Sequence, residues 1–376
     1  MSEKPHVVHV IDELPRDGAE VLLLDLIRRR DPRMRYSVLC IVRGGPLVED
    51  FERAGVPVVI FGRKGAVDPR LLWCLVRWLR RERAAVVHTH LFTADSYGRL
   101  AARLAGVPAV FSTVHNSVGP PGHLRRFANR VLARLSDGVV GCGDEIAEAL
   151  ESQGVPAERI LSIPNGIDLQ RFQGARGDGV REEFGLDERR IVLGMVGRLH
   201  VQKGHEVLFE SLAAMSDAQR RDLICLVIGV GDLEQRLRAR VEQLGLGDTV
   251  VFTGSRTDVP RLVAALDLFV MPSLWEGLPI ALLEAMASGR AVLCSSVGSI
   301  PGVVHHGESG WLVAPGNAQA LRDGLLALVS DPGLRALLGA RAREQVIARF
   351  DVEKTAFAYN RLHAHAAGLD AVEQSA

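Results

Sequence analysis

Short apolar runs alternate along the chain with longer stretches in which apolar residues recur every three or four positions. The runs predict strands at His6–Ile11, Ser37–Val42, Val56–Phe61, Ala85–His88, Ala109–Ser112 and Gly138–Gly141. Helical spacing fills the gaps, for example over Ala19–Arg30 and Ser96–Ala105. A second series of runs lies at Ile191–Val196, Leu223–Gly229, Val250–Thr253, Leu268–Met271, Ala291–Ser295 and Trp311–Val313. Strands alternating with helices predict parallel sheets covered on both faces, so the fold class is α/β with two doubly wound, Rossmann-like halves. A turn signal at Ile163–Asp168 and a polar, glycine-rich stretch at Gly174–Gly179 mark the linker, giving domains at 1–168 and 169–351. Helical patterns follow at Ala318–Val329, Gly333–Ala348 and Val352–Ala367, the last long enough to return to the first domain.

The densest stretch is WEGLPIALLEAMASG, from Trp275 to Gly289. Gly277 and Pro279 form a turn that opens a helix, since proline is tolerated where a helical N–H has no partner. Every residue from Leu278 to Ala287 is apolar except Glu284. A helix apolar on all sides is a buried one, which carries Glu284 into the interior, where a carboxylate needs hydrogen-bond donors or a partner arginine. Glu276 lies just outside the helix start, where N–H groups favour an anion. Two carboxylates so placed suit a ligand with hydroxyls and phosphates.

In parallel sheets ligands bind beyond the carboxyl ends of the strands, and several loops there carry chemistry. The first runs from Asp12 to Glu20, with Gly18 at a helix start. His115 and Asn116 follow the fifth strand and lead into Gly119–Gly122; His115 there is either a group for hydrogen bonding and proton transfer in a cleft or a loop anchor. His88 and His90 end another strand with the same two readings. Gly197 and Arg198 end the strand at Ile191–Val196, and Lys203 with Gly204 precedes a helix. A guanidinium and an ammonium at a helix N-terminus make a diphosphate clamp, or else are two solvated cations. Gly229 and Gly231 open a dinucleotide fingerprint whose third glycine is replaced by Glu234, so NAD is disfavoured. Gly254, Ser255 and Arg256 end another strand, where backbone groups suit a flat base, and Gly298–Pro301 adds a small-residue turn.

Composition narrows the classes. The 376 residues are 47% hydrophobic and 24% charged with a formal net charge of zero, which fits a soluble two-domain protein. No run reaches the ~18 apolar residues of a membrane span. No signal-peptide pattern precedes the first strand, and Cys40, Cys74, Cys142, Cys225 and Cys294 show no metal spacing, so a cytoplasmic location with buried thiols is expected. The charge is uneven, with 22 Lys and Arg against 13 Asp and Glu in residues 1–135. Residues 69–81 and 119–135 hold no acid. The second stretch, with Leu124, Phe127, Val131 and Leu135 at helical spacing, is either a segment for an anionic membrane surface or a helix with a solvated arginine face. Its aromatics are not interleaved with the basic residues, which argues against nucleic acid.

GRLHVQKG at 197–204, IPNGID at 163–168 and PSLWEGLPIALLEAMASG at 272–289, in this order along the whole chain, resemble glycosyltransferase family 4, the retaining nucleotide-sugar enzymes of GT-B fold. The resemblance implies that Arg198 and Lys203 neutralise the donor diphosphate and the charge on the leaving group. It implies that Glu284 binds ribose hydroxyls, and that Glu276 with the amides of Gly277 and Leu278 holds the transferred sugar and its phosphate. His115 would approach the sugar from the other domain. Gly197, Gly231, Gly254 and Arg256 would line the donor, as would Gly18, although the family's paired glycines are Asp17-Gly18 here. No metal or other cofactor is implied. The partners implied are a nucleotide-diphosphate sugar and a glycan, lipid-linked or small-molecule acceptor. A nucleotide-sugar-binding subunit without catalysis is the non-enzyme alternative.

Overall fold

The computed structural model describes residues 3–65, 67–115, 123–187 and 189–369, with only the backbone for Phe92 and residues 123–128. The chain divides into two compact units, Met1–Gly166 with Val352–Ala376, and Ile167–Asp351.

The first unit is built on seven parallel strands: β1 (His6–Ile11), β2 (Arg35–Cys40), β3 (Val58–Ile60), β4 (Ala84–His90), β5 (Ala109–Val114), β6 (Gly138–Gly141) and β7 (Ile160–Ser162). Their order in the sheet is β3-β2-β1-β4-β5-β6-β7. Apolar side chains from both faces of β1 are buried, Val7 and Ile11 against one layer of helices and Val8 and Val10 against the other. Both faces being covered is why these strands read as continuous apolar runs. The helix Val352–Ala366 packs on this unit through Thr355 Oγ1 donating to the Pro164 carbonyl and Asn360 Nδ2 donating to the Arg29 carbonyl.

The second unit holds six parallel strands: β8 (Ile191–Val196), β9 (Leu223–Ile228), β10 (Val250–Gly254), β11 (Leu268–Met271), β12 (Ala291–Ser295) and β13 (Trp311–Val313). Their order is β10-β9-β8-β11-β12-β13. In each sheet the order reverses once, between β1 and β4 and between β8 and β11. At such a reversal the flanking crossovers leave to opposite sides and open a crevice at the strands' carboxyl ends.

Three features depart from the sequence-based expectation. β7 is a seventh strand of three residues, placed just before the turn at Ile163. Gly174–Gly179 lies inside the second unit, with Gly177 pressed on Ala265. The helix His123–Arg134 exists, but Val131 of its expected apolar stripe is 40% exposed and Ala133 is the buried residue. The side chains of Leu124 and Phe127, together with Asn116 and Gly119–Gly122, lie outside the described residues.

Candidate active site

In the second unit the loops after β8 and β11 meet at the reversal point. Lys203 ends a 3₁₀ turn (Val201–Lys203), and Gly204 at φ +70° starts the helix His205–Ala213. A Cβ at Gly204 would overlap the Pro272 carbonyl oxygen, so only glycine allows this approach. The Leu274 N–H donates to the Gln202 carbonyl at 2.7 Å and binds the two loops together.

That contact brings Lys203 to Glu276, Nζ to Oε1 at 2.6 Å. Ser273 Oγ donates to the same carboxylate at 2.8 Å, and Gln202 Nε2 donates to Oε2 at 3.1 Å and to the Trp275 carbonyl at 3.0 Å. Glu276 is only 2% exposed. The loop after β12 closes the same corner: Gly298 at φ +55° fits against the Glu276 carbonyl, where a Cβ would collide, and the Ser299 N–H donates to the Gly277 carbonyl at 3.0 Å. Gly277 and Leu278 are buried immediately before the helix Ile280–Ala287.

The burial of the two glutamates is thus the reverse of that expected. Glu276 is the buried carboxylate, satisfied by a cation and neutral donors from neighbouring loops. Glu284 is half-buried, because Ala281, Glu284 and Ser288 form the one stripe of that helix not fully covered. That stripe has the i, i+3, i+7 spacing of a helix face.

The remaining donor-site candidates sit at the carboxyl ends of the same sheet, in different states of commitment. Gly197 follows β8 and is tied to the end of β9 by its N–H donating to the Ile228 carbonyl at 3.0 Å. Arg198 is exposed. Gly231 packs so close on Leu199 that a side chain would not fit, a structural reason for the glycine beside any ligand role. Gly254 ends β10 at φ +73° with open space where a side chain would stand. Arg256 is held bidentate by Asp258, both bonds 2.8 Å, and its third nitrogen donates to Glu183 at 2.6 Å. Glu183 and Asp258 also take Arg261, each at 2.9 Å. The Arg256 bonds hold Asp258 well below the usual carboxylate range. The Arg256 guanidinium is therefore part of a structural ion-pair network, and the structure brings it to Glu183 and Asp258 rather than to Lys203 and Glu276.

The first unit holds the other candidates. Gly18 is the exposed first residue of the helix Gly18–Arg28. Asp12 directly follows β1, the same loop's parent strand, accepts the Ala94 N–H at 2.8 Å, and is raised by burial to about 6. His115 directly follows β5 and does not stand alone. His9 on β1 pairs in register with His88 on β4, and His90 shares its face two residues on. Rings of His88 and His90 stack at 4.8 Å. His9 Nδ1 and His90 Nε2 are 3.0 Å apart, and His90 Nδ1 and His115 Nε2 are 3.2 Å apart. A second string runs from His363 Nε2 to His88 Nδ1 (2.9 Å), then His88 Nε2 to Thr113 Oγ1 (2.8 Å) and Thr113 to the Tyr359 hydroxyl (2.9 Å). Burial pushes all five imidazoles down, His115 and His363 to about 4, so each is neutral at pH 7. The rings bond to one another instead of converging on a point, and among the described residues no cluster of three His, Cys, Asp or Glu is arranged for a metal ion.

His9, Tyr359 and His363 were absent from the sequence-based candidates. Period-two alternation would have placed His88 and His90 on one face, but the register with His9 and the docking of the last helix are tertiary facts.

Two family profiles match the chain: "Glycosyltransferase Family 4" over residues 5–171 and "Glycosyl transferases group 1" over 178–345. The UDP-Gal:alpha-D-GlcNAc-diphosphoundecaprenol alpha-1,3-galactosyltransferase of Escherichia coli is 28% identical, over 86% of this chain and 87% of its own. A putative glycosyltransferase of Bacillus subtilis is 30% identical, over 78% of this chain and 80% of its own. A protein of Anabaena solved in complex with UDP-glucose shares the fold, with a TM-score of 0.82 at 24% identity over 96% of this chain and 98% of that one.

Proposed function

The chain belongs to glycosyltransferase family 4 and is a glycosyltransferase of GT-B fold that uses nucleotide-sugar donors, and we propose that it is a retaining enzyme transferring the sugar to a lipid-linked acceptor. The observation that carries the donor site is the Lys203–Glu276 corner at the β8–β11 reversal. Lys203, with Arg198 from the same loop, meets the diphosphate, since a cation already ordered by a buried carboxylate needs little reorganisation to stabilise a leaving group's charge. The open stripe of the Ile280–Ala287 helix offers Glu284 to ribose hydroxyls, and Glu276 with the Gly277 and Leu278 amides holds the sugar and its phosphate. His115 is assigned to a sugar hydroxyl.

The step is a same-face substitution. The bond from the anomeric carbon to the diphosphate oxygen breaks, the acceptor oxygen bonds to that carbon from the same side, and the acceptor's proton passes to the departing phosphate. Arg198 and Lys203 supply the charge that a divalent ion provides in other glycosyltransferases, so activity is expected to survive chelation by EDTA.

The lipid-linked acceptor is supported by the helix Pro69–Arg81. Its outer face exposes Arg70, Trp73 and Arg77, with Trp73 60% exposed and Arg77 stacked over its ring. Arg80 reaches the Leu104 carbonyl of the adjacent helix, where Leu104 is itself half exposed. A basic face with an interfacial tryptophan suits an anionic membrane surface, on its cytoplasmic side. No described helix is long and apolar enough to cross a membrane.

The test is turnover with UDP-, GDP-, ADP- and dTDP-sugars against diphosphate-linked lipid acceptors and, separately, soluble sugar or inositol phosphates. Product with the donor's anomeric configuration, formed on the lipid acceptor, supports the reading. An inverted anomer or a trapped glycosyl-enzyme overturns the mechanism. Turnover on soluble acceptors alone replaces the lipid acceptor with a small one.

A further inference from the structure

The string His9–His90–His115 has a chemical consequence independent of its packing. A neutral imidazole carries one N–H and one lone pair. Two N···N contacts in a row, at 3.0 and 3.2 Å, each need one proton. His90 therefore donates at one nitrogen and accepts at the other, and the direction is shared by the whole string. His115 is engaged through Nε2, and its Nδ1 is buried with no hydrogen-bond partner among the described residues. An unpaired buried nitrogen costs ~1–3 kcal/mol unless a ligand completes it. The string runs from β1 across the carboxyl end of β4 to the residue after β5, and β1 and β4 are the two strands where the order of the sheet reverses.

We propose that His90, backed by His9, is a positioning residue that fixes the ring of His115 through Nε2 and presents Nδ1 of His115 to a hydroxyl of the transferred sugar. The inference rests on the assignment of His115 to the sugar. Because the third proton of the three rings sits at one end of the string or the other, Nδ1 of His115 is either a donor or an acceptor, and passing from donor to acceptor releases a proton at His115 Nδ1 and takes one up at His9 Nε2, with no change in net charge. A sugar hydroxyl can meet either form. The groups facing the three rings are Tyr36 from β2, His88 from β4, His363 from the last helix and, through the His115 carbonyl, the Cys142 thiol. Tyr36 is pushed up and both histidines down by burial, so the string has uncharged neighbours at pH 7.

The test compares His90→Phe, which fills the space without a nitrogen, and His90→Asn, which restores a polar atom near the lost Nδ1, with His115→Ala in the full chain. Side-chain ¹⁵N NMR of the wild type is expected to show His115 Nε2 in an N–H···N bond with His90, lost in His90→Phe. In turnover, His90→Phe is expected to lower kcat ~10- to 100-fold, the scale known for groups that orient functional histidines. KM should change little, and thermal stability should match that of His90→Asn. His90→Asn should recover to within ~3-fold of wild type. A missing N–H···N signature overturns the proposal whatever the activity. So does an unimpaired His90→Phe beside an inactive His115→Ala, which leaves the sugar assignment standing. A fully active His115→Ala overturns the assignment and the positioning role together.

Discussion

Replacing Lys203 with methionine tests the physical account of the donor corner without any substrate. The Nζ–Oε1 distance is 2.6 Å and the side chains are 18% and 3% exposed. Removing one partner of a buried ion pair costs ~3–5 kcal/mol, because the other charge stays in the interior. Here Ser273 and Gln202 continue to donate to the carboxylate, and the lysine end is partly wet. The expected loss is therefore about 2–3 kcal/mol. For a unit of this size that lowers its melting temperature by roughly 5–10 °C. Calorimetry gives the number, with hydrogen exchange in β8 and β11 assigning the transition to the second unit. The double variant Lys203→Met/Glu276→Gln removes the orphaned charge and should recover at least half of the loss. A loss below ~0.5 kcal/mol, or a double variant no more stable than Lys203→Met, would show that Glu276 is not held as a buried, cation-dependent carboxylate.

Other consequences follow from the same geometry. His115 and His363 fall to about 4 on folding from an ordinary 6.5, so the unfolded chain binds more protons between those values. The stability they confer is complete above pH 6.5 and is lost as pH falls towards 4, about 2 kcal/mol for each between pH 7 and 5. Urea unfolding of the first unit at the two pH values measures this, and equal midpoints would contradict it. Gly204→Ala forces a side chain into the left-handed region and onto the Pro272 carbonyl, with an expected loss above ~3 kcal/mol, seen as early melting of the second unit. Vesicles with anionic lipid should retain the protein at low salt and release it at high salt. Trp73→Ala with Arg77→Ala should abolish retention, and binding that is unchanged would remove the membrane face from the account.

The second sheet was largely legible because its strands are short, almost wholly apolar runs. β8, β11, β12 and β13 begin and end at their expected residues. The first sheet was blurred at its margins. β4 extends to His90 because a strand covered on both faces can bury histidines that satisfy one another, while polarity alone suggested an earlier end. β7, with three residues, is too short for any period to register. At the Lys203–Glu276 corner the loops could be placed from sequence, but the burial of Glu276 and Glu284 could not. Which glutamate is enclosed depends on how Gly204 and Gly298 let neighbouring loops close over Glu276, a matter of backbone approach between strands distant in sequence. The ion pairs of Arg256 were hidden for a similar reason, since its partner Glu183 comes from 73 residues away. The histidine string needed the register of β1 on β4 and the docking of the last helix, neither of which is visible in a linear pattern.

The most direct measurement is calorimetric titration of UDP and of UDP-sugars into the wild type and into Arg198→Ala and Glu284→Ala. The account predicts saturable binding to the wild type, and a weakening of at least tenfold, about 1.4 kcal/mol, in each variant without a change in melting temperature. Unchanged affinity in both folded variants would contradict the placement of the donor at the β8–β11 corner.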